Sequence, residues 1–148
     1  MEKLLISACL LGIATRYDGK SKKVISDEDL KNLSEKYHLI PVCPEIYGVL
    51  STPRVPSEIV GDRVKMKNGN DVTENYFKGA NETLSLARLL GAKKALLKAK
   101  SPSCSKNGVY DGSFSGVLKE GMGVSAELLL KNGIEVFDEN DIEKLLNI

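Results

Sequence analysis

The amino-acid sequence predicts an α/β protein, a Rossmann-like three-layer sandwich with a mainly parallel sheet and a small inserted β-hairpin. Three observations lead there. Short, nearly continuous apolar runs recur along the chain, amphipathic stretches at helical spacing separate them, and capping residues or glycines mark the switches.

The first run, KLLISA at residues 3–8, has the pattern of a strand buried on both faces. Ser26 followed by Asp29 makes an N-terminal cap, and Leu30, Leu33 and Tyr37 fall at helical spacing, so a helix is expected over about 27–36. HLIPV at 38–42 is a second strand; Pro41 lacks an N–H and fits an edge or a strand end better than the middle of a ladder. Residues 57–67 alternate around Gly61-Asp62 and predict the inserted hairpin, a candidate flap. Asp71 and Glu74 open the longest helix, with Phe77, Ala80, Leu84, Ala87 and Leu90 as its expected buried stripe and Gly91 as its C-terminal cap. KALLK at 94–98 is a third strand. A helix over 123–132 closed by Gly133 follows, then a fourth strand at 134–137 and a final helix capped by Asp138 and carrying Ile142, Leu145 and Leu146. No repeat or low-complexity segment interrupts the order.

At 148 residues the chain has the length of one domain, residues 1–148, able to bury a core without staples. No stretch supplies the roughly 18 consecutive apolar residues of a membrane span, so no membrane partner is expected. The apolar N-terminal run is followed by Arg16, Tyr17 and Asp18 where a signal peptide would place its small-residue cleavage site, and it reads better as a strand. With 21 basic and 20 acidic side chains there is no global field to attract a polyanion, and nucleic acid is a poor partner. Three cysteines cannot all pair, which points to free thiols in a reducing cytoplasm.

Cys9, Cys43 and Cys104 are 33 and 60 residues apart and form no Cys-x-x-Cys signature. Their placement says more than their spacing, because each follows a predicted strand. In a parallel α/β sheet the loops leaving the carboxyl ends gather along one edge, where ligands bind. The turns around two of them, Cys43-Pro44-Glu45 and Ser101-Pro102-Ser103-Cys104, are rigid and rich in proton-handling groups. Three such thiols predict a metal or iron–sulfur site, one ligand short of closing a tetrahedral or four-cysteine centre and so with one position open for chemistry. The alternative for each is a small buried hydrophobe.

Rival chemistries fit less well. A Cys-x5-Arg phosphate loop needs arginine at position 15, whereas Arg16 gives Cys-x6-Arg. His38, the sole histidine, begins a strand at the end away from Cys43 and reads as structural rather than as a base. Gly121, Gly123 and Ala126 spell half of a dinucleotide fingerprint with no strand before it; a close-packed helix entry is the simpler reading, although its N–H groups could hold an anion.

The ordered set SACLLG at 7–12, RYDG at 16–19, CPE at 43–45, TPR at 52–54, Pro56-x-Glu58 and Gly69-x-Asp71-Val72-Thr73 resembles the thiouracil desulfurase family, long catalogued as a domain of unknown function. Gly79-Ala80, Leu97-Lys98, SPSC at 101–104, YDGSF at 110–114 and GxGV at 121–124 extend the resemblance over nearly the whole chain. It departs at IYGVL (46–50), where a double-glycine form is more usual, and at Ser105, which stands for a common glycine; both changes are expected near the pocket.

The resemblance implies a [4Fe-4S] cluster with three cysteine ligands, Cys9, Cys43 and Cys104, and one open iron. It also implies non-redox removal of sulfur, as hydrosulfide, from a thiolated nucleobase such as 2-thiouracil. On that footing Glu45 is the candidate base that activates water or shuttles its proton and Ser101 the hydroxyl that orients substrate or relays protons, with Ser103 as its rival. Arg16, Asp18, Arg54 and Ser103 are candidate substrate-binding residues; the charged three could instead pair and fix their loops, and Glu45 could instead cap a helix. The expected partner is a small thiolated molecule, and the expected state a monomer or small homo-oligomer. Alternatives are another thiolated metabolite as substrate, or a non-catalytic module that binds zinc or senses redox state.

Overall fold

In the computed structural model, which describes residues 1–20 and 23–148, four strands form one parallel sheet. They are β1 (Glu2–Ser7), β2 (Tyr37–Val42), β5 (Lys94–Leu96) and β8 (Glu135–Phe137), in the order β2-β1-β5-β8. Helices α1 (Asp27–Lys36), α3 (Thr73–Leu90), α4 (Val124–Lys131) and α5 (Ile142–Leu146) connect or follow them, and a short α2 (Pro44–Tyr47) follows β2. Two small hairpins stand apart from the sheet: β3 (Ser57–Val60) with β4 (Arg63–Met66), and β6 (Val109–Tyr110) with β7 (Leu118–Lys119). The first is the hairpin read at 57–67; the second, only two residues a side, lies below what period-two patterning can detect.

The side-chain alternation of β1 shows why the sheet has helices on both faces. Leu5 packs with Leu84, Ala87, Ala126 and Leu129 of α3 and α4, whereas Leu4 and Ile6 pack with Leu33 of α1 and with Ile142 and Leu145 of α5. All three β1 side chains are fully buried, each contributing roughly 1.5–3 kcal/mol of apolar burial. Pro41 is tolerated because β2 pairs on one side only, with Ile6 opposite Pro41. Among the described residues no helix is long and apolar enough to cross a membrane.

Two local expectations are corrected. Phe77 is 44% exposed and Leu90 only half-buried, whereas Ala80, Leu84 and Ala87 are buried as expected and Tyr76 and Thr83 complete the stripe of α3. The error is one residue of helical phase: a polar hydroxyl made Tyr76 the less obvious core residue, yet that hydroxyl is satisfied inside, as described below. Asp138 does not cap α5; it accepts from Asn140 N–H in the preceding turn, and Asp141 occupies the cap position. Ser26 does cap α1, its hydroxyl accepting from Asp29 N–H at 3.1 Å.

Two glycines set how α2 sits on α3. A Cβ on Gly79 would lie 1.9 Å from the Pro44 carbonyl oxygen, and one on Gly48 would lie 2.1 Å from the Asn75 carbonyl oxygen. Asn75 Nδ2 donates to the Gly48 carbonyl at 2.8 Å and locks the contact. The next residue, Val49, holds φ at +67° and is 73% exposed, a β-branched side chain in the left-handed region that glycine occupies without penalty. This is where the double-glycine form is interrupted. V49G is therefore expected to stabilise the fold by about 0.5–1 kcal/mol, the relief of a left-handed L-residue less the added chain entropy. A urea-unfolding midpoint that falls instead of rising would contradict this.

Candidate active site

The sheet changes winding direction between β1 and β5, and the loops leaving their carboxyl ends open a crevice there, the usual ligand position in such sheets. Cys9 lies in the 3-10 turn Ala8–Leu11 directly after β1, closed by Gly12 at φ +88°. Cys43 follows β2 at the N-cap position of α2, with Pro44 preset for the first helical turn. Cys104 comes from the loop after β5, where Ser101 Oγ accepts from both Ser103 N–H and Cys104 N–H at 3.1 Å.

The Cys104 loop is pressed onto the start of α4. A Cβ on Gly123 would lie 2.4 Å from the Ser103 carbonyl carbon, so this position requires glycine. The N–H groups of Gly123, Val124, Ser125 and Ala126 donate to carbonyls of Ser105, Pro102 and Ser103. The glycine motif is thus a packing joint; the N–H groups that could have held an anion are spent on the SPSC turn.

All three cysteines line one cavity of about 420 Å³. Each thiol resists ionisation, chiefly through burial: Cys9 is pushed up to about 11, Cys104 to about 12, and Cys43 upward as well. Charge on Cys43 raises Cys9, and charge on either raises Cys104, so the three sense one another. Such a donor set becomes three thiolates when a strongly cationic group offsets burial and mutual repulsion. Thr15 Oγ1 is buried without a hydrogen-bond partner among the described residues, and Thr15 lines the same cavity as Cys43. These features fit a cationic cluster. Among the described residues no three His, Cys, Asp or Glu side chains converge on one ion position.

Beside the thiols, Glu45 is the hub of a hydrogen-bond network. Its Oε1 accepts from Tyr76 OH at 2.8 Å and from Arg54 Nε at 3.2 Å, and its Oε2 accepts from Ser103 Oγ at 3.2 Å. Ser103 Oγ also lies 3.1 Å from Ser101 Oγ and 3.4 Å from Cys104 Sγ. A carboxylate offers about four lone-pair sites. Three donors leave one, on Oε2, beside the thiols. Burial, followed by the charge of Glu45, holds the Tyr76 phenol well above its usual range, so it stays a donor.

The candidates divide by what their side chains touch. Glu45, Ser101, Ser103, Arg54 and Arg16 line the cavity with the cysteines, and Asp18 is not part of that wall. Arg54 is committed to protein groups: besides Glu45, it donates to the carbonyls of Ser51 and Thr15 and to Thr52 Oγ1. Arg16 and Asp18 approach within 3.7 Å, and Asp18 accepts from Lys20 N–H. Ser103 is 1% exposed and forms the link to Glu45, with Ser101 one step further out. Glu45 sits in the first turn of α2, but its side chain turns to Arg54, Tyr76 and Ser103 rather than capping. The departures at 46–50 and at Ser105 directly follow the wall residues Glu45 and Cys104 without lining the cavity themselves, and Ser105 Oγ donates to the Gly108 carbonyl.

Sequence reading passed over several wall residues. Tyr76 was hidden by the phase error in α3. Lys98, in the Leu97-Lys98 motif, lines the cavity and pairs with Glu139 at 2.7 Å, and its charge favours the Cys9 thiolate. Burial would raise the Glu139 carboxyl, but Lys98 and the Ala99 N–H outweigh it and hold it below the usual range.

Comparison with known proteins agrees over nearly the full length. The chain is 37% identical to the uncharacterized protein YbbK of Bacillus subtilis (strain 168), over 97% of this chain and 99% of that one. A solved structure of a [4Fe-4S]-dependent thiouracil desulfidase, TudS, superposes with a TM-score of 0.92 at 42% identity, covering 98% of this chain and 95% of that chain. The sequence pattern of 2-thiouracil desulfurase matches residues 4–141, and the chain therefore belongs to the 2-thiouracil desulfurase family.

Proposed function

We propose that this protein removes sulfur from a thiolated nucleobase such as 2-thiouracil, using a [4Fe-4S] cluster held by Cys9, Cys43 and Cys104. One observation carries the reading: Ser103 links the Cys104 thiol, at 3.4 Å, to the Glu45 carboxylate, at 3.2 Å, within a single cavity wall. A ligand set and a proton acceptor thus share one site. Cluster ligands attach to separate irons, so three thiols of one cavity suffice for a cluster that leaves one iron open. When bound, the cluster supplies an iron without a protein ligand, a soft Lewis acid suited to a thiocarbonyl sulfur.

The remaining work falls to the chain. The free lone pair of Glu45 Oε2 takes a proton from the attacking water, while Tyr76 and Arg54 hold the carboxylate in place. Ser103 and Ser101 form a hydroxyl path by which that proton can move along the wall. The overall change, C=S plus water to C=O plus hydrogen sulfide, transfers no electrons and needs no external reductant. The free thiols fit a reducing cytoplasm.

After anaerobic iron–sulfur reconstitution, 2-thiouracil is expected to give uracil and sulfide in equal amounts without added reductant, measured by chromatography and a colorimetric sulfide assay. A chain that retains no iron and shows no brown absorbance would sink the proposal. Turnover of other thioamides but not of thiouracil would move the substrate assignment while keeping the cluster.

A further inference from the structure

We infer that Phe114 is a stacking platform for the flat ring of the substrate, and that Glu58 is the positioning residue that holds it at the cavity; this deepens the desulfurase reading and rests on it. Residues 111–116, DGSFSG, are polar or glycine apart from this one aromatic. Phe114 belongs to none of the apolar core clusters among the described residues, yet it lines the cavity that holds the three cysteines. Core packing therefore does not account for it.

Its backbone is held in place at some cost. Phe114 has φ +57°, a region that bulky side chains rarely adopt. Glu58 on β3, only 9% exposed, accepts through Oε1 from Phe114 N–H at 3.2 Å and from Gly112 N–H at 2.9 Å. Gly112, at φ +94°, lies so close to β3 that a Cβ would be 2.8 Å from the Ile59 carbonyl oxygen. Asp111 N–H donates to the Val117 carbonyl at 2.9 Å and closes the loop on itself. A buried carboxylate and a glycine contact thus fix an otherwise polar loop so that it presents one aromatic side chain to the cavity.

An aromatic face at a small-molecule cavity favours planar, π-bearing ligands over acyclic ones of the same functional group. The chemical class it selects is a heteroaromatic thioamide, as against an open-chain thioamide such as thioacetamide.

Ring binding by the full chain without cluster, followed by saturation-transfer NMR titration with uracil and 2-thiouracil, tests this independently of sulfur release. F114L is expected to weaken both ligands about tenfold, the scale of one base–aromatic stack, while F114Y retains parental affinity. E58A should weaken them similarly, add little to F114L in the double variant, and speed hydrogen exchange at the Gly112 and Phe114 amides. In the reconstituted chain, F114L should raise KM for 2-thiouracil about tenfold, with kcat and thioacetamide turnover changed less than about twofold. Unaltered ring affinity in F114L, equal losses for ring and open-chain ligands, or no ring binding by the parent chain would each overturn the inference. Ring binding lost in F114L and kept in F114Y supports it even if no sulfide is ever released, so the two readings fail separately.

Discussion

Replacing Cys9, Cys43 or Cys104 singly by alanine is expected to abolish iron retention after anaerobic reconstitution and, with it, sulfide release from 2-thiouracil. Removing even a supporting partner of a metal ligand costs about 10–100-fold in affinity or activity, so loss of a ligand itself should exceed about 100-fold. The fold should survive. Cys9 and Cys43 are only partly buried, and neither belongs to an apolar core cluster. Cys104 does pack in the core, between the sheet and α4, so its variant should also lose modest stability. Iron and labile sulfide per chain, read beside far-UV circular dichroism, separate ligand loss from unfolding. A Cys43 variant with parental iron content and turnover would remove that residue from the ligand set.

Glu45→Gln is expected to lower turnover by about 10²–10⁴-fold, the usual contribution of a positioned acid–base group, while iron content stays parental. The amide keeps one acceptor oxygen for Tyr76 and Arg54, so the hydrogen bonds on Oε1 can persist. What it loses is the second acceptor facing Ser103, and with it the lone pair assigned to water. It also leaves the Arg54 guanidinium, whose side chain is 4% exposed, without its countercharge. A stability loss on the order of 1–3 kcal/mol follows, measurable in urea. Normal turnover in this variant would refute Glu45 as base, and loss of iron would mean that Glu45 supports the cluster rather than the water.

On the proposed reading, the two expected results together would divide the cavity wall into a part that holds a cofactor and a part that moves protons. Ser103 joins them, hydrogen-bonding one way to Glu45 and the other to Cys104. The SPSC turn thus ties the Cys104 thiol to the Glu45 carboxylate. Its backbone is clamped by Ser101 Oγ and by the N-terminal N–H groups of α4, which gives Cys104 and Ser103 a fixed relation to each other.

Sequence by itself determined the parallel sheet, its helices and the three thiols at strand ends, because period and capping are local properties that survive without tertiary context. It placed the first hairpin for the same reason and kept Pro41 to an edge or a strand end; the sheet order made it an edge. Tertiary structure alone decided that Tyr76 rather than Phe77 faces inward, since the two differ by one step of helical phase and only a partner for the phenol, Glu45, makes a buried tyrosine favourable. It alone decided that Arg54 serves Glu45 and three neighbouring loop groups, and that Gly123 receives the SPSC turn. Tyr76 with Glu45, Arg54 with Thr15 and Gly123 with Ser103 are each 20 or more residues apart yet meet at hydrogen-bond or contact distance, and no local pattern encodes such a meeting. The cysteines show both halves: their residue types and strand-end positions are written in the chain, while the single cavity wall that gathers them exists only once the sheet edge has closed around them.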